Sequence, residues 1–313
     1  MRSTTKKSPP AKPRTPRPSP KKIVCRKGRH RMNPGRTYAL LVTLDAGYLK
    51  QLAVMLKSIL NVEPRVNLDV YILHKKLRPE HFDKVLFAIG GARVRFLPIA
   101  IDDDSLSGAP TTKRYPLEMY YRLLASRYLP IDLDRVLYLD PDVVVIHPLA
   151  ELYDYPLGEL AFVGCSHVTR GMRNLNAIRL GMSKTAPYIN SGILLMNLRV
   201  LRRIVDPKMI YDFIRKNKAV LALPDQDVLS ALYGDRSVLV DSLRFNLSDR
   251  YLRLANLRRS FKEPKLDLEW VKKHGVIIHY CGRNKPWKPD YVGELDVFWN
   301  ETVKTVDFSA WEV

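Results

Sequence analysis

The sequence predicts an α/β protein built on a mostly parallel central sheet with flanking helices. Apolar runs of strand length alternate with segments whose apolar residues recur at helical spacing. Polar residues that can bind ligands or take part in catalysis fall at the ends of the apolar runs, where such sheets bind ligands. The hydrophobic content of 46% is enough for a sizeable core.

The alternation begins after Arg36. TYALLVTL (37–44) has the character of a buried strand, and apolar residues at helical spacing follow over residues 52–60. LDVYILH (68–74) predicts a second strand, and PEHFDKVLFAI (79–89) predicts a helix that opens with a proline. RVRFLPI (93–99) then predicts a third strand. Strands that alternate with helices favour parallel pairing.

The same alternation continues in the second half of the chain. PLEMYYRLLASRYL (116–129) predicts a helix, and RVLYLD (135–140) predicts a strand. YINSGILLMNL (188–198) contains an apolar strand, LPDQDVLSALYG (223–234) leads into a helix, and the short run VII (276–278) is apolar.

Residues 1–36 form a basic, proline-rich arm that we expect to be disordered. They hold 13 of the 52 Lys and Arg and no Asp or Glu, which leaves +7 of the net charge of +20 on residues 37–313. So few apolar residues cannot offset the entropy of ordering. The arm is a solubilising segment or a mis-assigned start before Met32, or it is attracted to an anionic membrane. Nucleic-acid binding is less favoured, because the arm has no aromatic residue for stacking.

Composition also bears on location. The apolar runs fall short of the roughly 18 residues of a membrane helix, and the N-terminus lacks the apolar core of a signal peptide. The three cysteines, Cys25, Cys165 and Cys281, form no disulfide or metal pattern. We therefore expect a soluble cytoplasmic protein, with peripheral contact at the inner face of the membrane as one role for the arm.

Asp140 and Asp142 interrupt the otherwise apolar run LYLDPDVVV (137–145). Alternate residues of a strand face the same side, and Pro141 cannot donate to a sheet ladder, so pairing should break here. Two close carboxylates repel unless a cation lies between them, and carboxylate oxygens suit Mg²⁺ or Mn²⁺. The pattern predicts a divalent-cation site with room for a diphosphate. A plain surface turn is the alternative.

HYCGRNKPW (279–287) combines three residue types suited to the same site. His279 can ligate a metal, Gly282 permits close backbone approach, and Lys285 supplies a point charge for a phosphate. A satisfied core histidine is the alternative for His279 considered by itself.

Two further segments place polar residues beside apolar elements. Asp225, Gln226 and Asp227 precede a helical pattern, and one of them should serve only as a helix cap. Asn190 stands with Ser191 and Gly192 at the start of an apolar strand, where a tight turn is the alternative.

Taken together, these motifs resemble those of glycosyltransferase family 8, which contains bacterial lipopolysaccharide galactosyl- and glucosyltransferases and the glycogenins. The motifs LDAGY, YYRLL, LYLDPDV, NSGILLMNL, DQDVL and HYCGRNKPW occur in the family's order. The resemblance implies a GT-A fold with a Rossmann-like sheet. It divides the chain into the arm (1–36), a GT-A domain (37–290) and a short C-terminal extension packed on the domain (291–313).

The resemblance also implies an activity: retaining transfer of glucose or galactose from a UDP-sugar to a glycan, glycolipid or glycoprotein acceptor, with Mn²⁺ or Mg²⁺. By position, the metal ligands would be Asp140, Asp142 and His279. The diphosphate would contact Lys285 and Gly282, and the uracil would contact Asp45. The donor sugar would lie near Arg122, Asn190, Asp225 and Gln226, and Gln226 lies on the face where a nucleophile is expected.

The sequence departs from the family at two places. Gly47 stands where relatives often have Asn, and neither His167 nor Val168 is acidic where some relatives carry an acidic sugar contact. The donor sugar is therefore open. We favour same-face attack over double displacement, because no carboxylate is clearly placed as a nucleophile and the amide of Gln226 is a poor one.

Two other protein classes are weighed against this interpretation. A metal-dependent nucleotidyltransferase would show a glycine-rich, basic phosphate loop after the first strand, and VTLDAGYL is not such a loop. A nucleic-acid-binding protein would depend on the basic arm and would leave the site residues unexplained.

Overall fold

The computed structural model describes residues 35–101, 117–260 and 263–311. Within these ranges a seven-stranded sheet and a two-stranded sheet form the framework. The strands are β1 (Thr37–Thr43), β2 (Asn67–His74), β3 (Val94–Ala100), β4 (Arg135–Leu139), β5 (Val143–Val145), β6 (Phe162–Cys165), β7 (Asn190–Asn197), β8 (Ser237–Leu239) and β9 (Ile277–His279).

The α-helices of the described ranges follow the strands along the chain. They are α1 (Leu49–Val62), α2 (Pro79–Ile89), α3 (Ala125–Tyr128), α4 (Ala150–Tyr153), α5 (Arg170–Leu180), α6 (Leu198–Ile204), α7 (Pro207–Asn217), α8 (Pro224–Tyr233), α9 (Ser242–Phe245), α10 (Asp249–Arg258), α11 (Leu268–His274) and α12 (Asp296–Val303).

The large sheet has the order β3-β2-β1-β4-β7-β6-β8. The pairs β1–β2, β2–β3, β1–β4 and β6–β8 are parallel, whereas β7 runs antiparallel to β4 and β6. The strand order turns back at β1, which has β2 on one side and β4 on the other. Ligands bind to open α/β sheets at such a switch point, outside the carboxyl ends of the strands. The predicted fold class is confirmed.

Strand β1 shows how the sheet separates two apolar layers. Tyr38, Leu40 and Val42 face one core cluster, which includes the inner face of α1. Ala39 and Leu41 face the other cluster, which lies against residues 119–125. Because successive side chains point to opposite faces, one buried strand can serve both layers, and its sequence reads as continuously apolar.

The predicted helix at residues 116–129 differs in detail. Its described part is a 3₁₀ helix (Leu117–Leu124) that runs into the single turn of α3. The Arg122 side chain donates from Nε to the Met119 carbonyl at 2.8 Å, while its guanidinium lies buried beside Asp140. This turn therefore serves to place an arginine in the site rather than to lay a regular helix on the sheet.

Residues near both ends of the described chain contact the domain. Residues 1–34 of the predicted arm lie outside the described residues, whereas Arg36 pairs with Asp154. Near the other end, the Asp307 amide donates to the Ala88 carbonyl at 2.9 Å and Asn61 donates to Thr305 at 3.0 Å. In the part of the chain that the structure describes, no helix has the length and apolar character needed to span a bilayer.

Candidate active site

The segment Asp140–Pro141–Asp142 connects the two sheets. Strand β4 ends at Leu139 and β5 begins at Val143, so the chain leaves the large sheet at this proline, as predicted. The Asp140 amide still donates to the Gly192 carbonyl of β7 at 2.8 Å. The two carboxylates therefore lie at the carboxyl end of β4, at the edge where the sheet order turns back.

His279 comes to the same place from a distant part of the chain. It ends β9, which pairs antiparallel with β5 and sets His279 opposite Val143. Its Nε2 lies 3.3 Å from Asp142 Oδ1 and 3.7 Å from Asp140 Oδ2. The potential ligand atoms of the three residues all lie within 4.8 Å of one another.

Two observations fit this group to a cation. Asp142 Oδ1 is buried and has no hydrogen-bond partner among the described residues, which is costly for a carboxylate oxygen. In addition, Gly192 allows His279 and Asp140 to approach the same point, since a Cβ here would lie 2.4 Å from His279 Cε1 and 2.6 Å from Asp140 Oδ2. Two carboxylates and an imidazole form a donor set suited to a divalent metal ion.

Lys285 lies on the other side of Asp142. Its ammonium group donates to Asp142 Oδ2 and, at 2.8 Å, to the Tyr280 carbonyl. Burial by itself would raise the pKa of Asp142, but the ammonium group of Lys285 holds it well below its usual range. The carboxylate is therefore ionised at neutral pH, as a metal ligand must be.

Arg122 is a buried bridge between two acidic groups. Its guanidinium Nη1 lies 3.0 Å from Asp140 Oδ1 and 3.4 Å from Asp225 Oδ2, and it donates to the Ser191 carbonyl at 2.9 Å. Tyr138 also donates its hydroxyl to Asp140 Oδ1, at 2.7 Å. One oxygen of Asp140 is thus held by the protein, and Oδ2 is directed toward His279.

The start of α8 supplies three polar residues with different roles. Asp227 is fully buried, and its Oδ2 accepts from the backbone N–H groups of Ala222 and Leu223 at 2.7 and 3.1 Å. Asp227 is therefore the residue that holds the helix start. Asp225 and Gln226 instead belong to the site: burial raises the pKa of Asp225, although Arg122 acts in the opposite direction.

Asn190 joins the group at the first residue of β7. Its Nδ2 donates to Gln226, and its Oδ1 accepts from Gly192 N–H at 3.1 Å. Asn246 contacts both Asn190 and His279, although nothing in the sequence singled it out. A single asparagine in an apolar segment carries no pattern that distinguishes it from a turn or cap residue.

The remaining predicted residues lie around this centre. Asp45 is exposed and accepts from Gly47 N–H at 2.8 Å. Tyr48, which the sequence also failed to single out, lies near enough to Asp45, Asp140 and Asp142 to feel their charges. Burial raises the pKa of Tyr48, and the charges of Lys285, Asp142, Asp140 and Asp45 act on it as well.

Gly282 and His167 complete the surroundings. Gly282 has a φ of 98°, a left-handed conformation that favours glycine, and it precedes Lys285 in the same loop. His167 stacks on Tyr251 with ring centroids 4.7 Å apart and bonds the Asn246 carbonyl, so this residue packs against the site wall.

Comparison with known proteins agrees with this arrangement. The family model described as glycosyl transferase family 8 matches residues 39–290. The lipopolysaccharide 1,2-glucosyltransferase of Escherichia coli K12 is 26% identical over 247 residues, which cover 78% of this chain and 71% of that protein. The lipopolysaccharide 1,3-galactosyltransferase of Salmonella typhimurium LT2 is 23% identical over 248 residues, with coverage of 78% and 71%.

Solved structures show the same fold. Galactosyltransferase LgtC in complex with donor and acceptor sugar analogs aligns with a TM-score of 0.71 at 24% identity, covering 86% of this chain and 96% of LgtC. GlyE of Streptococcus pneumoniae TIGR4 aligns with a TM-score of 0.64 at 19% identity, covering 88% and 62%.

The family match and the fold together define a sugar-transferring enzyme with the GT-A fold. The chain belongs to glycosyltransferase family 8. The resemblance stated from the motifs is therefore confirmed, and glycosyl transfer is favoured over both alternative classes.

Proposed function

We propose that this chain is a retaining hexosyltransferase that moves glucose or galactose from a UDP-sugar to a glycan or glycolipid, with Mn²⁺ or Mg²⁺ as cofactor. The observation that carries the proposal is the group of Asp140, Asp142 and His279, whose ligand atoms lie within 4.8 Å of one another beside the ammonium of Lys285. Magnesium-type sites commonly combine one or two carboxylates with substrate phosphates. The names of both curated relatives support a lipopolysaccharide-type glycolipid as the acceptor.

The metal group, which consists of Asp140, Asp142 and His279, would hold the diphosphate end of the donor together with Lys285 and Gly282. The bound ion would stabilise the negative charge that develops on the leaving diphosphate. Lys285 would add a fixed positive charge at the same place, since its buried ammonium already lies beside Asp142. Gly282 would let the backbone approach the phosphates, and Asp45 would accept a hydrogen bond from the uracil N–H.

The donor sugar would lie between the acidic pair and α8. Asn190, Asp225 and Gln226 offer amide and carboxylate groups that bind sugar hydroxyls. Arg122 links this part of the site to the metal group, because one guanidinium nitrogen lies near both Asp140 and Asp225. This shared contact would keep the sugar subsite at a constant distance from the diphosphate subsite.

We infer same-face attack as the route to retention. The bond between the anomeric carbon and the phosphate oxygen breaks, its electron pair leaves with UDP, and the sugar gains oxocarbenium character. The acceptor hydroxyl attacks from the leaving-group side and gives its proton to a diphosphate oxygen. Asp225 is a weak candidate for a covalent nucleophile because it is already engaged by Arg122.

The proposal is tested by hydrolysis of UDP-glucose, UDP-galactose, UDP-N-acetylglucosamine and GDP-glucose, each with and without Mn²⁺. We expect UDP-hexose turnover that requires the metal and is lost in Asp142→Asn. The matched control is Asp69→Asn, which removes a carboxylate that pairs with Arg95 on the surface of β2. Metal-independent turnover, or full activity of Asp142→Asn, would contradict the proposal.

We further propose that the basic arm, residues 1–36, draws the enzyme to anionic membranes and that the GT-A domain folds without it. Each Lys or Arg near such a surface contributes about 1 kcal/mol. A chain beginning at Met32 should keep the melting temperature of the full chain and lose salt-sensitive binding to vesicles that contain phosphatidylglycerol. Binding that does not weaken with salt would exclude the electrostatic attraction.

A further inference from the structure

A line of hydrogen-bonded side chains begins at His279. Its Nδ1 lies 2.8 Å from Oδ1 of Asn246, whose Nδ2 donates to Asn190 Oδ1 at 2.9 Å. Asn190 Nδ2 in turn donates to Oε1 of Gln226 at 3.2 Å. The side-chain amides of Asn246 and Asn190 therefore connect His279 of the metal group to Gln226 of the donor-sugar subsite.

The line continues from Gln226 to a carboxylate. The Tyr188 hydroxyl lies near the Gln226 side chain and donates to Asp227 Oδ1 at 2.6 Å. Asp227 is fully buried, and it also accepts from Arg179 at 2.7 and 2.8 Å. An ionised carboxylate only accepts hydrogen bonds, so the direction of donation is set at this end of the line.

A second fixed point lies in the middle of the line. The backbone N–H of Gly192 donates to Asn190 Oδ1 at 3.1 Å, and a backbone N–H cannot act as an acceptor. This contact identifies the oxygen of the Asn190 amide. Since Asn190 must then offer its nitrogen to Gln226 and its oxygen to Asn246, the orientations of the neighbouring amides follow from the network.

The direction of donation determines the tautomer of His279. Because the amide nitrogen of Asn246 donates to Asn190, Asn246 presents its amide oxygen to the imidazole ring, and His279 must donate from Nδ1. The ring nitrogen Nε2 then carries a lone pair, and it lies 3.3 Å from Asp142 Oδ1 and 3.7 Å from Asp140 Oδ2. The Nε2 lone pair and the two carboxylate oxygens can together serve as ligands for a cation.

Asn246 is well placed to hold this geometry. It is fully buried, and its neighbour Leu247 exchanges backbone hydrogen bonds with β9, to Ile277 at 3.0 Å and from His279 at 2.7 Å. The asparagine and the histidine are therefore fixed to the same short piece of sheet, and neither side chain can turn without breaking a buried hydrogen bond.

We propose that Asn246 is a positioning residue that couples the metal group to the donor-sugar group. It sets the tautomer of His279 and, through Asn190, the orientation of the Gln226 amide. Gln226 then has its carbonyl oxygen engaged by Asn190, which leaves its amide nitrogen to donate to a sugar hydroxyl. This orientation favours same-face attack over attack by the amide oxygen. The coupling rests on the proposed function, but the tautomer does not.

The first experiment tests the metal group separately from the donor-sugar subsite. It measures the affinity for Mn²⁺ in the presence of UDP, from the electron paramagnetic resonance signal of free Mn²⁺. Asn246→Ala should weaken Mn²⁺ binding by about 10- to 100-fold, the usual effect of removing a partner of a metal-ligating histidine. Asn246→Asp keeps an acceptor for His279 but cannot donate to Asn190. It should bind Mn²⁺ within a few-fold of the wild type and lose kcat for sugar transfer.

The matched control is Asn197→Ala. Asn197 is equally buried and makes two hydrogen bonds, to the Gly158 carbonyl and from the Val200 amide, away from the site. It should lose stability with unchanged Mn²⁺ affinity. Equal Mn²⁺ affinity in the wild type and Asn246→Ala, or parallel losses of Mn²⁺ affinity and kcat in Asn246→Asp, would overturn the coupling.

The second experiment is independent of metal and of activity. In the metal-free full chain labelled with ¹⁵N-histidine, long-range ¹H–¹⁵N spectra in mildly alkaline buffer should show His279 protonated on Nδ1, with its signals assigned by their loss in His279→Gln. The proton should redistribute toward Nε2 in Asn246→Ala. Protonation on Nε2 in the wild type would overturn the inference, even if Asn246→Ala fails to fold. An Nδ1–H ring in a protein that does not bind Mn²⁺ would instead contradict only the proposed function.

Discussion

Replacing Gly192 by alanine tests the metal group without removing any of its ligands. A methyl group at this position would lie 2.4 Å from His279 Cε1 and 2.6 Å from Asp140 Oδ2. Because ordinary contacts need about 3.5 Å, both side chains would have to retreat by roughly 1 Å. Metal–ligand distances tolerate only about 0.2 Å. We therefore expect Gly192→Ala to keep the fold and to lose the metal site.

The size of the effect follows from this displacement. A misplacement of about 1 Å commonly costs about 100-fold, which we take as the expected loss of affinity for Mn²⁺ with UDP. At a ligand concentration of about 100 times the wild-type dissociation constant, binding stabilises the wild type by about 2.7 kcal/mol and the variant by only about 0.4 kcal/mol. At about 2 to 4 °C per kcal/mol, the melting temperature should rise by roughly 5 to 10 °C in the wild type and roughly 1 °C in the variant.

Calorimetry with and without Mn²⁺ and UDP measures both values. The control is Gly171→Ala on the exposed side of α5, where the new methyl would meet only Thr169 Oγ1 at 3.9 Å. It should keep the full ligand-dependent rise in melting temperature and change the metal-free stability by no more than about 1 kcal/mol. If Mn²⁺ and UDP raise the melting temperature of Gly192→Ala as much as that of the wild type, the inference that Asp140 and His279 together hold the ion is refuted.

Three further predictions concern neighbouring residues. Asp142→Ala should abolish Mn²⁺-dependent UDP binding and destabilise the metal-free protein by roughly 3 kcal/mol, because it leaves the buried ammonium of Lys285 unpaired; an unchanged urea midpoint without metal would argue against this pairing. Asp45→Ala should weaken UDP binding while turnover still requires Mn²⁺, and equal wild-type turnover of GDP- and UDP-sugars would contradict base recognition by this residue. Burial lowers the pKa of His167 to about 4, so below about pH 6.5 the unfolded chain takes up a proton that the native protein does not. Stability should fall toward pH 4 by up to about 1.4 kcal/mol per pH unit, and His167→Gln should flatten this slope in urea unfolding; identical slopes in the two proteins would count against a neutral, buried ring.

The sequence predicted strands β1 to β4 and β7 and helices α1, α2 and α8, because the signals for these elements are local. It made no prediction for β6, β8 or most helices of the second half of the chain. Residues 37–43 and 67–74 are apolar over strand length, and α2 has the predicted bounds, with Pro79 at its start and Gly90 in a left-handed conformation after its end. The segment 116–129 was harder to interpret, because its 3₁₀ winding accompanies a contact between Arg122 and Asp140 that no local pattern shows.

The residues of the candidate site also fall into two sets: those that the sequence could group and those that needed the structure. Asp140 and Asp142 could be paired from the sequence because they are two residues apart in one apolar run. The residue types of HYCGRNKPW suggested the same site for His279, and the family resemblance made His279 a metal ligand beside them; the family match is consistent with that step. The respective roles of Asp225 and Asp227 needed the structure, since both carboxylates open the same helix and only their partners differ.

By itself, the sequence determined the alternation of strands and helices, the break at Pro141 and the residue types available for holding a cation and a diphosphate. Each of these depends on residues within a few positions of one another, where backbone geometry and side-chain chemistry act directly. The tertiary structure alone decided that Asn246 lies between His279 and Asn190, and that Gly192 leaves room beside them. Those contacts join residues from β7, β9 and the loop after α9, because the start of β7 in the large sheet and the end of β9 in the small sheet come together in the folded chain.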